Sequence, residues 1–208
     1  NDVDSAIDWV EKAINRKSCE YFYETLFQAY IRGKQYEKIV DCKEIVLKNY
    51  SKSFPLLFNI ALAYKNLKQN HFAIEFYEKA LKVNPTSYQA WFNLAHIYNV
   101  ENQGKNAVSA FKICRKLKPK DKETEYFLSI ALMRTKDYDK GLKLFEQRLC
   151  KDTAVALQNK TYPNLASYRN LWRGENIKNK TILVYYEAGY GDTIMFARYL
   201  PLLKKRCK

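Results

Sequence analysis

Residues 54–85 read FPLLFNIALAYKNLKQNHFAIEFYEKALKVNP, and residues 88–119 read YQAWFNLAHIYNVENQGKNAVSAFKICRKLKP. The second stretch repeats the first at a fixed offset. Leu57, Ile60, Ala61, Tyr64, Ala73, Tyr77, Ala80 and Pro85 return as Trp91, Leu94, Ala95, Tyr98, Ala107, Phe111, Cys114 and Pro119, each 34 residues on (91 − 57, 119 − 85). Leu57, Ile60, Ala61 and Tyr64 fall at i, i+3, i+4 and i+7, which is one apolar stripe of a helix. Ala73, Tyr77 and Ala80 form a second stripe on a following helix. The small Ala61 and Ala73 predict two antiparallel helices in close approach. The large Tyr64 and Tyr77 are expected to fill the space between neighbouring hairpins. Pro85 and Pro119 cannot sit in a helix interior, so each closes one hairpin and opens the next. A single hairpin of this kind cannot bury its own apolar face. Stacking buries it, and about three repeats are needed for stability.

A two-helix unit returning every 34 residues resembles the tetratricopeptide repeat, TPR. The expected fold is mainly α: a right-handed TPR superhelix, or solenoid, with a short C-terminal βα unit. The register extends both ways. Stepping back 34 from Leu57 lands on Tyr23, with Leu26 and Tyr30 in phase, Gly33 in the turn, and Tyr36, Ile39 and Val46 on a second helix. Phe27 and Ile39 fill the small positions, so packing there should be looser or shifted. Stepping forward 34 from Trp91 gives Glu125, then Leu128, Ser129, Leu132, Gly141 and Phe145. This fourth repeat lacks the large aromatic and the closing Pro, and Thr153 stands in its place. An end repeat facing something other than a hairpin has this character.

Residues 1–17 are expected to be the orphan second helix of a truncated repeat, with Ala6, Trp9, Val10, Ala13 and Ile14 as its stripe. The sequence opens at Asn1 without Met, which suggests a trimmed or partial chain. Residues 18–153 are the array, and residues 154–208 a linker followed by an incomplete βα start.

Composition narrows the function classes. Hydrophobic residues make up 47% and charged ones 28% of 208 residues, the balance of a globular chain. No apolar run approaches the ~18 residues of a membrane span, and no secretory signal opens the chain. The five cysteines, Cys19, Cys42, Cys114, Cys150 and Cys207, are scattered with no CxxC. That argues against a disulfide framework and against zinc, and it points to a reducing, cytoplasmic home. Cys114 lies on a repeat stripe and reads as a small core residue. No metal and no cofactor are expected. The net charge of +14 comes from lysines spread over many helix faces, not from one run, so it reads as a solvated surface and argues against nucleic acid as partner.

After Lys151 the periodicity fades, and Tyr162-Pro163 marks a connection. Lys180-Thr-Ile-Leu-Val-Tyr-Tyr186 then has the composition of a buried strand. Glu187-Ala-Gly-Tyr-Gly-Asp192 is a turn carrying Gly189 and Gly191, and Thr193–Lys205 has helical spacing, with Pro201 as a kink or early stop. A helix N-terminus behind a glycine turn suits an anion. Helix capping by Asp192 is the simpler role for the turn. Neither a dinucleotide fingerprint nor a P-loop is present.

Trp172-Arg-Gly-Glu175, Lys180-Thr-Ile-Leu-Val184, Glu187-Ala-Gly-Tyr-Gly-Asp-Thr-Ile194 and Phe196-Ala-Arg-Tyr-Leu-Pro201 resemble the junction between repeats and catalytic domain in bacterial TPR glycosyltransferases. Those enzymes are similar to heptosyltransferases and to O-linked N-acetylglucosamine transferase. The resemblance implies sugar transfer from a nucleotide sugar, with Asp192 as the base on the acceptor hydroxyl. It holds only if a longer chain completes the domain, because one βα unit cannot form a donor site. As it stands the chain is expected not to catalyse.

His71 and His96 lie apart in the repeat register and read as surface or groove packing. Glu75 with Lys79 reads as a solvated i, i+4 pair. Asn59 and Asn93 occupy one position in successive repeats, a position that the TPR resemblance places on the concave groove. They resemble the asparagine ladder of O-linked N-acetylglucosamine transferase. Each Asn can donate to and accept from an extended backbone, although a bond within its own repeat fits the spacing equally well. Thr25 and Phe127 interrupt the ladder. The candidate groove residues are therefore Asn59 and Asn93 with Phe58, Leu62, Gln89, Phe92 and His96. The expected function is an interaction module for a protein or peptide segment. The alternative is the acceptor-recognition arm of a glycosyltransferase.

Overall fold

A computed structural model describes residues 2–16, 19–145, 175–180, 182 and 197–206. The chain divides into two units, 1–147 and 148–208. The first unit is ten helices in chain order: α1 (Asp2–Arg16), α2 (Glu20–Arg32), α3 (Tyr36–Asp41), α4 (Lys43–Asn49), α5 (Phe54–Asn66), α6 (Asn70–Val83), α7 (Tyr88–Val100), α8 (Gly104–Leu117), α9 (Lys122–Arg134) and α10 (Tyr138–Phe145). The pairs α5–α6, α7–α8 and α9–α10 are the hairpins that the 34-residue period demands.

Three sets of backbone features recur with the same period and fix where each helix begins and ends. The first helices of repeats two to four start on Ser53, Ser87 and Asp121. Each accepts a hydrogen bond from the backbone N–H three residues on, at 3.4, 3.3 and 2.9 Å. Such a cap is worth about 1 kcal/mol. The same helices end on residues in the left-handed region: Lys34 (φ 55°), Lys68 (φ 60°), Asn102 (φ 57°) and Lys136 (φ 66°). The following N–H then reaches back five residues, as in Gln69 N–H to Tyr64 O at 2.9 Å and Gln103 N–H to Tyr98 O at 2.8 Å. This closes a Schellman turn. Gly33 was the expected turn residue, but it stays right-handed at φ −78° and the left-handed position falls on Lys34. The second helices stop where expected. Asn84 and Lys118, each just before a proline, are extended, because the proline ring excludes helical backbone there.

The small positions are fully buried: Ala61, Ala73, Ala95 and Ala107 expose nothing, and Cys114 sits in the same core. At Gly141 of the last pair, an added Cβ would lie 3.1 Å from Ser129 O and 2.6 Å from Met133 Cγ, so α9 and α10 approach more closely than an alanine allows. Between repeats, tyrosines reach back. Tyr30 Oη donates to Glu11 Oε1 at 2.6 Å and Tyr98 Oη donates to Glu78 Oε1 at 2.9 Å. Lys43 sits beside the Tyr64 hydroxyl, which raises its pKa.

Two expectations about the first helices are corrected. The second helix of repeat one is broken at Cys42, whose N–H bonds Ile39 O at 3.2 Å, three residues back. Phe27 and Ile39 are both fully buried where the other repeats carry alanine, and the helix shifts around them. In α1, Trp9 is 74% exposed, and the buried side runs through Ile7 with half-buried Val10 and Ile14. Phe76 is the counterpart of Trp9 and packs on Tyr64 of its own hairpin at 5.6 Å. Among the described residues, no such helix precedes α1.

Tyr77 is completely buried, with its ring edge-on to Phe58 at 5.6 Å, and its hydroxyl has no hydrogen-bond partner. Burial drives its pKa far up. Phe111 and Phe145 stand at the same register without the hydroxyl. Tyr77→Phe is expected to raise stability by about 1 kcal/mol, read from urea denaturation, because an unpaired buried hydroxyl costs that much. No gain would show that a water satisfies it.

In the second unit, Lys180 N–H bonds Ile177 O at 3.0 Å in a turn, and α11 spans Leu200–Lys204. Pro201 lies in the first turn of α11, where its missing N–H costs nothing, so it starts a helix where a kink or stop was expected. Apart from Lys180 and Ile182, the expected strand 180–186 and the whole turn with Gly189, Gly191 and Asp192 lie outside the described residues.

Candidate functional site

The candidate groove residues sit on the first helices of the hairpins. On α5, Phe58, Leu62 and Lys65 follow at i, i+4 and i+7, so they share one stripe. On α7 the matching residues are Phe92, His96 and Asn99, each 34 later. Phe58, Asn59 and Leu62 are half-buried, as are Phe92, Asn93 and His96, whereas Gln89 is exposed.

The residues of α7 come together with neighbours that the sequence reading did not single out. His96 stands edge-on to Phe127 with centroids 3.9 Å apart, to Phe92 at 4.9 Å and to Phe111 at 5.8 Å. Phe127 occupies the ladder position of repeat four, so the residue that interrupts the ladder builds this aromatic wall. Burial first, and then the charge of Lys65, push His96 down to about 4. His96 is therefore a neutral ring at pH 7.

The two ladder asparagines differ. Asn93 Oδ1 accepts from Lys65 Nζ at 2.6 Å, a bond to the preceding repeat and not within its own. Its amide N–H groups stay available. Asn59 has no side-chain hydrogen bond among the described residues. Thr25, the first-repeat counterpart, donates back to Tyr21 O at 2.9 Å and is used up locally.

Lys65 is the residue missed. Its ammonium is half-buried, burial lowers its pKa, and no described carboxylate pairs with it. Its place on the stripe of Phe58 and Leu62 was the available signal. Asn99, at the same register in α7, is 7% exposed with Oδ1 lacking a donor, while its backbone carbonyl accepts from Arg134. His71 is exposed on the edge of Phe72 at 5.6 Å, and Glu75–Lys79 is a solvated pair at 2.7 Å, both as expected. Among the described residues no three His, Cys, Asp or Glu converge on a metal position. No described helix is long and apolar enough to cross a membrane.

Comparison with known proteins agrees with this geometry. Tetratricopeptide repeat family models match residues 55–87 and 76–107. The second window starts inside α6 and ends in α8, so it catches the same period out of phase. The described array of the first unit is a tetratricopeptide repeat fold. Among solved structures, a crystal structure of MamA has a TM-score of 0.66 at 19% identity, covering 73% of this chain and 89% of its own. YrrB, described as a TPR protein with an unusual peptide-binding site, has a TM-score of 0.65 at 19% identity, covering 77% and 84%. A MamA segment from Desulfovibrio magneticus RS-1 has a TM-score of 0.64 at 16% identity, covering 76% and 88%. These likenesses establish the fold. A comparison with curated proteins finds no match to this sequence. None of these matches supports the glycosyltransferase likeness.

Proposed function

We propose that the chain is a protein-interaction module whose repeat array holds an extended protein or peptide segment along the stripes of α5 and α7. The observation that carries this is the polar and aromatic cluster on α7, where Asn93, His96, Phe92 and Phe127 meet Lys65 from the preceding repeat. Half-buried aromatic rings supply contact area, and the free amides of Asn59 and Asn93 supply backbone hydrogen bonds. Leu62 and Phe58 extend the surface toward the first repeat, and Gln89 lies exposed at the start of α7. YrrB, a protein of the same fold, is described as having a peptide-binding site, which agrees with this use of the fold.

The test is the double variant Asn59→Ala plus Asn93→Ala, probed on an array of blocked peptides varied in charge and aromatic content. The wild-type protein is expected to retain a subset of them. The double variant should retain that subset about tenfold or more weakly, since each lost side-chain hydrogen bond costs about 1 kcal/mol. Unchanged retention with an intact circular dichroism spectrum would place the binding surface elsewhere.

The glycosyltransferase reading has only the motif string at 172–206 in its favour. Asp192, its would-be base, and Gly189 and Gly191 lie outside the described residues. Nucleotide-sugar binding belongs to that reading alone.

A further inference from the structure

Lys65 is a half-buried cation with a neutral partner. A lysine taken out of water ordinarily finds a carboxylate, because desolvating its charge is costly. The unit has acids to spare for this purpose elsewhere: Lys79 pairs with Glu75 at 2.7 Å, Lys118 with Asp121 at 2.8 Å and Lys140 with Asp137 at 2.8 Å. Those three ammoniums are more solvated than that of Lys65, yet they are neutralised. Lys65 has only the amide oxygen of Asn93. Burial works against its charge with nothing in the fold offsetting it.

The surroundings restrict what could supply the missing charge. Asn93 uses Oδ1 on Lys65, which leaves its N–H groups as donors beside the ammonium. An ammonium and an amide N–H side by side are two donors, the complement of one carboxylate with two acceptor oxygens. Beside them stands the wall of Phe92, His96 and Phe127. His96 is neutral there and adds no second cation, so the position suits one negative charge and an apolar neighbour. The whole chain carries 36 Lys and Arg against 22 Asp and Glu, a surplus that steers acidic segments toward it.

We infer that Lys65 and Asn93 together hold the side-chain carboxylate of an Asp or Glu within the bound segment, with an aromatic or aliphatic residue of that segment against Phe92, His96 and Phe127. The partner is thus an acidic segment with interleaved apolar residues. The inference rests on the interaction-module reading above and specifies the chemistry of its ligand.

The experiment uses three fluorescent probes and anisotropy. One is a blocked nonapeptide of alternating Glu and Phe. The second has Gln for every Glu, and the third is that Gln peptide with a free C-terminal carboxylate. The wild-type protein should bind the Glu peptide about tenfold or more tightly than the blocked Gln peptide, the scale of one charge-assisted contact. Lys65→Met keeps the side-chain length and removes the charge. It should abolish that preference while leaving affinity for the Gln peptide and the thermal midpoint nearly unchanged. Equal binding of Glu and Gln peptides, or a preference that survives Lys65→Met, overturns the assignment. A free-carboxylate Gln peptide that matches the Glu peptide overturns the side-chain source in favour of a chain terminus. Binding without charge preference that still falls in the Asn59→Ala plus Asn93→Ala variant refutes the acidic partner and leaves the groove reading standing. Failure to bind any probe overturns both.

Discussion

Phe111→Ala is expected to cost about 3–5 kcal/mol of stability, the usual range for emptying a buried phenylalanine site. Phe111 is completely buried and sits where the first helices of repeats three and four meet. Its ring packs on Phe92 at 5.9 Å, His96 at 5.8 Å and Phe127 at 6.2 Å. Removing it leaves a cavity that three other rings line from two different repeats. Stability in a solenoid is the sum of repeat terms and interface terms, so a hole at one interface can uncouple the helices beyond it. Urea denaturation followed by circular dichroism should show a lowered midpoint and, for the same reason, a broader transition. A loss under about 1 kcal/mol would mean that the neighbouring rings collapse into the space. The groove wall rests on this ring, so peptide binding should weaken in the same variant.

Mild acid should destabilise the fold through His96. In the folded chain His96 is pushed from 6.5 down to about 4 by burial and by the charge of Lys65. The unfolded chain therefore binds a proton below about pH 6.5 that the folded chain refuses. The contribution is complete above pH 6.5, falls as the pH drops and bottoms out near pH 4. A depression of this size corresponds to up to about 3 kcal/mol at one unit per 1.4 kcal/mol. His96→Gln removes the titration. It should flatten the stability profile between pH 6.5 and 4, whatever it does to stability at neutral pH. An unaltered slope in that variant would assign the acid sensitivity to other groups. Asp121 titrates in a separate window. Burial opposes its charge, but hydrogen bonds from Lys118, Thr124 and Tyr88 outweigh it and hold it at about 2. Its contribution is lost only below about pH 4, where the His96 change is already over.

The repeat, its length and most of its core could be read from residues alone. Helical side chains that face a neighbour recur every three or four positions, and a stack of identical hairpins needs the same positions again every 34 residues. Leu57, Ile60, Ala61 and Ala73, with their counterparts Leu94, Ala95 and Ala107, are all essentially buried as that logic requires. The prolines end the second helices for a reason that is local to one residue. The caps Ser53, Ser87 and Asp121 and the left-handed Lys34, Lys68, Asn102 and Lys136 keep the same period. They escape a reading that follows apolar stripes, because they are polar and their role is to satisfy backbone groups.

Tertiary structure decided three other things. Which face of α1 is covered depends on the helix beside it: Trp9 is exposed because among the described residues α1 packs without a first helix of its own hairpin. The pairing of Lys65 with Asn93 joins residues 28 apart. That separation is set by the stagger of neighbouring repeats and leaves no mark in either helix. The neutral state of His96 is likewise a property of three phenylalanines drawn from α7, α8 and α9. The sequence by itself determined the solenoid, because period and side-chain size act within one hairpin and its copies. The chemistry of the groove arises between repeats, where superhelical stacking chooses which side chains meet.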